Sequence, residues 1–274
     1  MRLTILGGGT AWPTPARACG GYLVEHGGTT VLLDPGHGVL VQLLALDPVP
    51  RLDAVVVSHG HLDHCADLPA LLGWHAGRPG ADALPVLAPA HALDDVLAAG
   101  RSAVVRRAAD VVRLGDGDTV ELGPLTLEAA LLPHQVPTAG LRISAAGHVL
   151  ACTGDSGPCQ ERVTLAKGAD VLLAEATWAD RVPAAQAWFL SSARQAARLG
   201  LAAEVGHTVL THAHPDQAPA ALLAAARSEG AASVLAASPG LGLELGSAAP
   251  AWARRANRDP VQAVPAPVPP RRAR

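Results

Sequence analysis

The stretch VVVSHGHLDHCADLPAL, residues 55–71, constrains this chain more than any other. A short run of valines reads as a strand buried on both faces, and it ends in a segment that crowds three histidines and one aspartate into six positions. Polar groups that arrive where a buried strand leaves its sheet stand where α/β folds build their sites. On extended backbone, residues two apart point the same way, so His59 and His61 aim at one point in space. Asp63 and His64 follow as the chain turns into a helix expected from near Ala66, and their new direction suits a second point a few ångströms off. Imidazole and carboxylate together suit zinc or a similar borderline ion. The alternative is a set of histidines on an ordinary polar loop.

Strand, loop and helix alternate through the chain as far as Ser247. Apolar, β-rich runs fall at residues 3–6, 22–25, 30–34, 54–57, 125–132, 141–144, 148–152, 171–174 and 208–211. Helical stretches fall at 39–46, 66–74, 92–99, 192–199 and 215–228, the last two opening with Ser and Pro. In LGDGDTVEL, residues 114–122, Gly and Asp mark the turn of an antiparallel hairpin. The pattern is α/β: mixed sheets with helices outside them.

Composition narrows the functional classes. At 274 residues the chain suits one large domain, expected over 1–248, followed by a Pro, Ala and Arg-rich tail at 249–274 that is expected to be disordered. Although 49% of the residues are apolar, no uninterrupted apolar run approaches the ~20 residues of a membrane span, so no membrane partner is expected. The start, MRLTILGGG, enters a strand directly, and the expected location is cytoplasmic. Cys19, Cys65, Cys152 and Cys159 have spacings unlike a zinc clip and read as packing residues. A net charge of −3 gives no general attraction for nucleic acid. A homodimer is compatible with the sequence.

SHGHLDH resembles the His-x-His-x-Asp-His signature of the metallo-β-lactamase superfamily, and the similarity extends well past one motif. His134 in LLPHQVPTAG resembles that superfamily's third histidine, Asp155 in LACTGDSGP its bridging aspartate, and His212 in TVLTHAHP its last histidine. Asp34 in VLLDPG resembles the aspartate that lies beneath the metals and orients a ligand imidazole. The resemblance covers about residues 1–246. It implies an αββα sandwich of two mixed sheets with helices on the outer faces. It also implies two divalent ions, zinc ahead of manganese or iron: His59, His61 and His134 on one, Asp63, His64 and His212 on the other, Asp155 bridging. Such a pair supports metal-assisted hydrolysis through a bridging hydroxide. Asp63, Asp155 and Glu175 are the carboxylates the resemblance brings to catalysis.

Within the superfamily, GGGTAWPTPARACGGYLV, HQVPTAG, TGDSGP and LLAEATW look most like the ribonuclease Z-like and class II cyclic-nucleotide phosphodiesterase-like branch. Glu175 resembles the glutamate of its His-Glu-Ala-Thr motif, with Ala174 in place of the histidine. It reads equally as a partner to a ligand or as a plain strand-end carboxylate. Phe189 stands where ribonuclease Z-like enzymes carry a histidine thought to assist the leaving group; either another group such as His37 or His207 substitutes, though each reads more readily as a surface or packing residue, or the substrate needs little help. The arm that grips transfer RNA is not evident, so a small phosphodiester such as a cyclic nucleotide outranks structured RNA. The alternatives are a thioester hydrolase of the glyoxalase II kind, another ester hydrolase, or a non-catalytic metal-binding relative. The sole tyrosine, Tyr22, reads as core. His214 is a substitute for His212 should the last strand end later, Asp67 is expected to cap or brace its helix, and the tryptophans, Trp12, Trp74 and Trp178 among them, read first as packing residues, with Trp12 after the glycine segment the one that could border the pocket.

Overall fold

The computed structural model describes residues 1–100 and 103–246; the expected boundary at 248 and the tail at 249–274 lie outside the described residues. The strands are β1 (Arg2–Gly7), β2 (Gly21–His26), β3 (Thr29–Leu33), β4 (Ala54–Val56), β5 (Leu84–Pro89), β6 (Ala109–Leu114), β7 (Thr119–Leu122), β8 (Leu125–Leu132), β9 (Thr138–Ala145), β10 (His148–Cys152), β11 (Val171–Glu175), β12 (His207–Thr211), β13 (Val234–Ala236) and β14 (Gly242–Glu244). The helices are α1 (Val39–Leu44), α2 (Leu62–Cys65), α3 (Leu68–Ala76), α4 (Asp94–Ala99), α5 (Ala103–Ala108), α6 (Gln160–Ala166), α7 (Ala193–Ala202) and α8 (Pro219–Arg227). Two seven-stranded sheets result, ordered β14-β1-β2-β3-β4-β5-β6 and β13-β12-β11-β10-β9-β8-β7.

The two-residue period of the strands sorts their side chains between layers. Leu3, Ile5, Tyr22, Val24, Val31, Leu33 and Val56 of the first sheet meet Leu127, Leu141, Ile143, Leu150, Leu173 and Val209 of the second in one core between the sheets. The alternate residues point outward. Leu23, Leu32 and Val55 pack under Val39, Leu43, Leu68, Leu71 and Leu72 of α1 and α3. Leu172, Ala174 and Leu210 pack under an alanine-rich layer that includes Ala193, Ala196, Ala197 and Ala226 of α7 and α8. Strands buried on both faces therefore read as continuous apolar runs, and the expected αββα sandwich is the fold.

Two expectations give way. Residues 114–122 do not form a hairpin: β6 ends at Leu114 in one sheet and β7 begins at Thr119 in the other, so the Gly and Asp-rich turn carries the chain across the sandwich. β7 pairs instead with β8, Leu122 opposite Leu125, through Gly123-Pro124, where Gly123 has φ 58°. Asp67 does not cap α3; its carboxylate accepts the Leu40 N–H at 2.9 Å and so braces the first turn of α1.

Candidate metal centre

The strands β3 to β6 run parallel, as do β10 to β13, and the loops leaving their C-terminal ends meet along one edge of the sandwich. Val57 N–H donates to the Leu87 carbonyl at 2.8 Å, the last sheet-like bond of β4. Ser58 then turns to the loop after β3: its N–H donates to Asp34 Oδ1 at 2.7 Å and its hydroxyl to Asp34 Oδ2 at 2.8 Å. The Ser58 carbonyl accepts from Ala139 N–H at 2.9 Å, which ties the loop to the second sheet. Asp34 and His212 both have left-handed backbone, φ 52° and 57°, where their strands end and the chain turns sharply.

The structure brings the seven expected donors together in two groups. His59, His61 and His134 form one; Asp63, His64, Asp155 and His212, all buried, form the other, and within each group the ligand atoms lie within 4.8 Å of one another. Extended backbone at His61 keeps it aligned with His59, while Asp63 and His64 already lie in the helical turn α2, which redirects them. His61 Nδ1 is 3.1 Å from both His59 Nε2 and His134 Nε2. His212 Nε2 is 2.9 Å from Asp155 Oδ2 and 3.2 Å from Asp63 Oδ2, and His64 Nε2 is 3.4 Å from Asp155 Oδ1. Asp155 Oδ2 also lies 3.9 Å from His59 Nε2, so this carboxylate stands between the groups.

The other ring nitrogens decide what faces the centre. His64 Nδ1–H donates to Asp34 Oδ2 at 2.9 Å, the contact expected of Asp34. The Ser58 hydroxyl, already donating to Asp34, accepts from His59 Nδ1–H at 3.0 Å. The Thr177 hydroxyl donates to Glu175 Oε1 and accepts from His212 Nδ1–H at 2.9 Å. The Phe189 carbonyl accepts from His134 Nδ1–H at 3.2 Å. Four imidazoles are thereby held in the tautomer that turns an Nε2 lone pair inward. His64 Nε2 is buried with no hydrogen-bond partner at all. Lone pairs converging on carboxylates form a site that attracts a cation, and tetrahedral zinc with Zn–N near 2.0–2.1 Å sets its donor nitrogens about 3.3 Å apart, close to the spacing of the three histidines.

Charge follows the same arrangement. Burial lowers the pKa of His59 well below that of free imidazole, helped by the nearby His64 charge, and burial likewise lowers His61 and His134. For His64 and His212 burial is the largest single influence and opposes the charged ring, but the surrounding carboxylates together outweigh it, Asp155 with Asp34 and Asp63 at His64 and Asp155 with Asp63 and Glu175 at His212, and both are raised well above the usual value. Asp155 is depressed: burial works against its charge, and His212 and His64 outweigh that. In the second group, protons take the place a cation would fill.

Several expectations are refined. Glu175 is buried on the Nδ1 side of His212, 3.7 Å from it, away from the face where the donors converge; any effect it has passes through His212. His207 opens β12, at the opposite end of the strand from Thr211, so it cannot replace the missing acid at position 189. His214 stacks on Trp178, and His212 is the residue that enters the donor group. Tyr22 is core, its hydroxyl paired with Thr211 Oγ1. Gly7, which ends β1, is packed against neighbouring backbone: a Cβ there would stand 2.0 Å from the Cys19 carbonyl oxygen. Sequence reasoning missed the holding roles of Ser58, Thr177, the Phe189 carbonyl and the Ala11 N–H, which donates to Asp63 Oδ2 at 2.8 Å. Thr177 had a signal, as the threonine of EATW; the backbone groups had none.

A fold of two sheets between helices, with His and Asp donors gathered at the C-terminal ends of its strands, defines a metallo-β-lactamase-fold hydrolase whose donor clusters could bind metal. The family model described as the beta-lactamase superfamily domain matches residues 29–213, and the chain belongs to that superfamily. Among its relatives, the uncharacterized protein Rv1339 of Mycobacterium tuberculosis is 35% identical over 225 residues, 78% of this chain and 81% of that protein. Ribonuclease Z of Mycobacterium bovis is 31% identical over 246 residues, 80% and 88% of the two chains. The crystal structure of the metallo-beta-lactamase fold protein YhfI from Bacillus subtilis matches with a TM-score of 0.80 at 24% identity, covering 89% of this chain and 99% of that one. Among the described residues, no helix is long and apolar enough to cross a membrane.

Proposed function

We propose that this chain is a dinuclear metal-dependent phosphodiesterase acting on a small phosphodiester such as a cyclic nucleotide. The observation that carries the reading is the pair of adjacent donor groups into which four imidazoles, their Nδ1–H groups tied behind them, turn their Nε2 atoms. In this reading His59, His61 and His134 hold one ion, Asp63, His64 and His212 hold the other, and Asp155 reaches both. Two divalent cations, zinc first among the candidates, would make bound water acidic enough to be a nucleophile near neutral pH and stabilise charge on an attacked phosphoryl oxygen. Similarity to a ribonuclease supports phosphodiester chemistry over thioester chemistry.

The chain's own residues set the conditions for that step. Asp34, Ser58, Thr177 and the Phe189 carbonyl hold the imidazoles in one tautomer and orientation, so no reorganisation is needed as charge develops. The Ala11 N–H fixes one Asp63 oxygen. The phenyl ring at Phe189 carries no proton for a leaving group, so activated phosphodiesters are favoured by about the 10²- to 10⁴-fold that general acid catalysis commonly supplies. The test is to load the purified protein with zinc or manganese, measure bound metal, and assay bis-p-nitrophenyl phosphate, 3′,5′-cyclic AMP and S-lactoylglutathione. Metal-dependent cleavage of the first two, abolished in Asp63→Ala, is expected. Preferential cleavage of the thioester, or a metal-loaded protein inert to all three, overturns the reading.

A further inference from the structure

Building on the phosphodiesterase reading, we infer that an aromatic arc along the rim of the two donor groups, with Trp12 and Trp188 as its open ends, receives the nucleobase of the substrate. The chain has only five tryptophans, one tyrosine and one phenylalanine, so where its rings gather is informative. Four of them adjoin or include residues that hold the donors. Trp12 follows Ala11, whose N–H donates to Asp63. Trp178 follows Thr177, which accepts from His212, and Trp188 precedes Phe189, whose carbonyl accepts from His134. Neighbouring Cα atoms are ~3.8 Å apart, so each indole is rooted beside the centre.

The rings also touch one another in two sets, which Gln186 joins. Trp12 meets His214 edge-on with centroids 5.9 Å apart, and His214 stacks on Trp178 at 5.0 Å and 15°. Trp178 Nε1–H donates to Gln186 Oε1 at 3.2 Å, and the Gln186 carbonyl accepts from Phe189 N–H at 3.1 Å. Trp188 lies edge-on to Phe189 at 4.8 Å, and Phe189 to His134 at 5.7 Å. Two ring sets thus flank the centre, Trp12, His214 and Trp178 on the Asp63 side and Trp188 and Phe189 on the His134 side, joined through Gln186. The ends of the arc are open: Trp12 is 55% exposed and Trp188 54%, and Leu62, set between His61 and Asp63, is 56% exposed.

Large rings this exposed, fixed by neighbours on one side and free on the other, are stacking surfaces. Every nucleobase offers a flat π face, and such stacking tolerates any base. A cyclic nucleotide carries its planar base within a few bonds of phosphorus, and the arc sets a ring surface beside the groups proposed to bind its phosphate. The net charge of −3 supplies no field to draw a long polyanion, which favours a single nucleotide over an RNA strand.

AMP and ribose 5-phosphate share sugar and phosphate and differ in the base. Calorimetric titration of the metal-loaded protein is expected to show AMP binding about tenfold tighter. The Trp12→Ala, Trp188→Ala double variant should remove most of that preference, while the Trp12→Phe, Trp188→Phe pair, which keeps both rings, should retain it. Equal affinity of the wild-type protein for the two ligands, or a preference that survives both alanine substitutions, overturns the subsite. The phosphodiesterase reading fails by a different result, the absence of phosphodiester turnover, which AMP binding does not require.

Discussion

Asp34 receives three donors: the Ser58 N–H on one oxygen, and the Ser58 hydroxyl and His64 Nδ1–H on the other. An amide has one acceptor oxygen, so Asp34→Asn must set an NH₂ group against either the Ser58 N–H or the pair formed by the Ser58 hydroxyl and the His64 imidazole. Loss of such an outer partner commonly costs 10- to 100-fold in metal affinity, and competition with a chromophoric chelator is expected to show a loss of about that size. Thr177→Val removes the hydroxyl between Glu175 and His212 while keeping the shape, and His212 Nδ1–H loses its acceptor. About a tenfold weaker metal affinity is expected. Because Glu175 acts on His212 through this hydroxyl, Glu175→Gln should add less than its own single effect in the Thr177→Val background, a coupling that a double-mutant cycle reads directly. Independent, additive effects would place Glu175 outside the chain of contacts. At this scale the sequence showed the donors but not their supports. Histidine and aspartate at fixed spacing carry a chemical signature, whereas a carbonyl at position 189 or an amide at position 11 belongs to every residue type.

Loops, more than strands, decide whether the donors meet. Gly36 lies in the turn after β3, and a Cβ there would sit 1.9 Å from the Asp63 carbonyl oxygen, a clash between backbones that no rotamer relieves. Gly36→Ala is expected to destabilise the fold by about 1–3 kcal/mol and to lower metal content at the same time, because relief of the clash moves α2 and the Asp63 it carries. Ser192→Ala is the contrasting case. Ser192 and Gln195 form a reciprocal capping box at the start of α7, and its loss is expected to cost about 1 kcal/mol in chemical denaturation with metal content preserved. Elements were legible where burial writes a continuous apolar run, as in β3, β4 and β11. They were obscured where local chemistry points elsewhere. LPVLAP reads poorly as an interior strand because of Pro85 and Pro89, yet β5 lies inside its sheet: its pairing with β4 involves only Val86 and Leu87, between the prolines. Strands as short as β13 and β14, three residues each, owe their existence to neighbours already in place and leave no periodic trace.

For the whole molecule, concentrating titratable groups at one edge couples stability to pH. His64 and His212 keep their protons more tightly when folded, since the carboxylates around them, Asp155 foremost, together outweigh burial. Their contribution is complete below the unfolded imidazole value of ~6.5 and is lost as pH rises through their higher folded values. His59, His61 and His134 behave oppositely: burial depresses them, so below ~6.5 the unfolded chain takes up protons that the folded chain resists, and stability falls as pH falls. Asp63 and Asp155, both held below the usual carboxylate range, add a further loss as pH drops under ~3.9. The metal-free protein should therefore be most stable at about pH 6–7 and lose thermal stability on either side. Divalent ions require the same imidazoles neutral and compete with the protons on His64 and His212, so the stabilisation they give should grow with pH. Thermal unfolding followed from about pH 5 to about pH 9, with chelator and with added zinc, should show a humped metal-free profile and a gap to the loaded protein that widens upward. A metal-free profile that is flat through neutrality, or a gap that narrows as pH rises, would mean that the two donor groups do not share their protons and cations as the geometry requires.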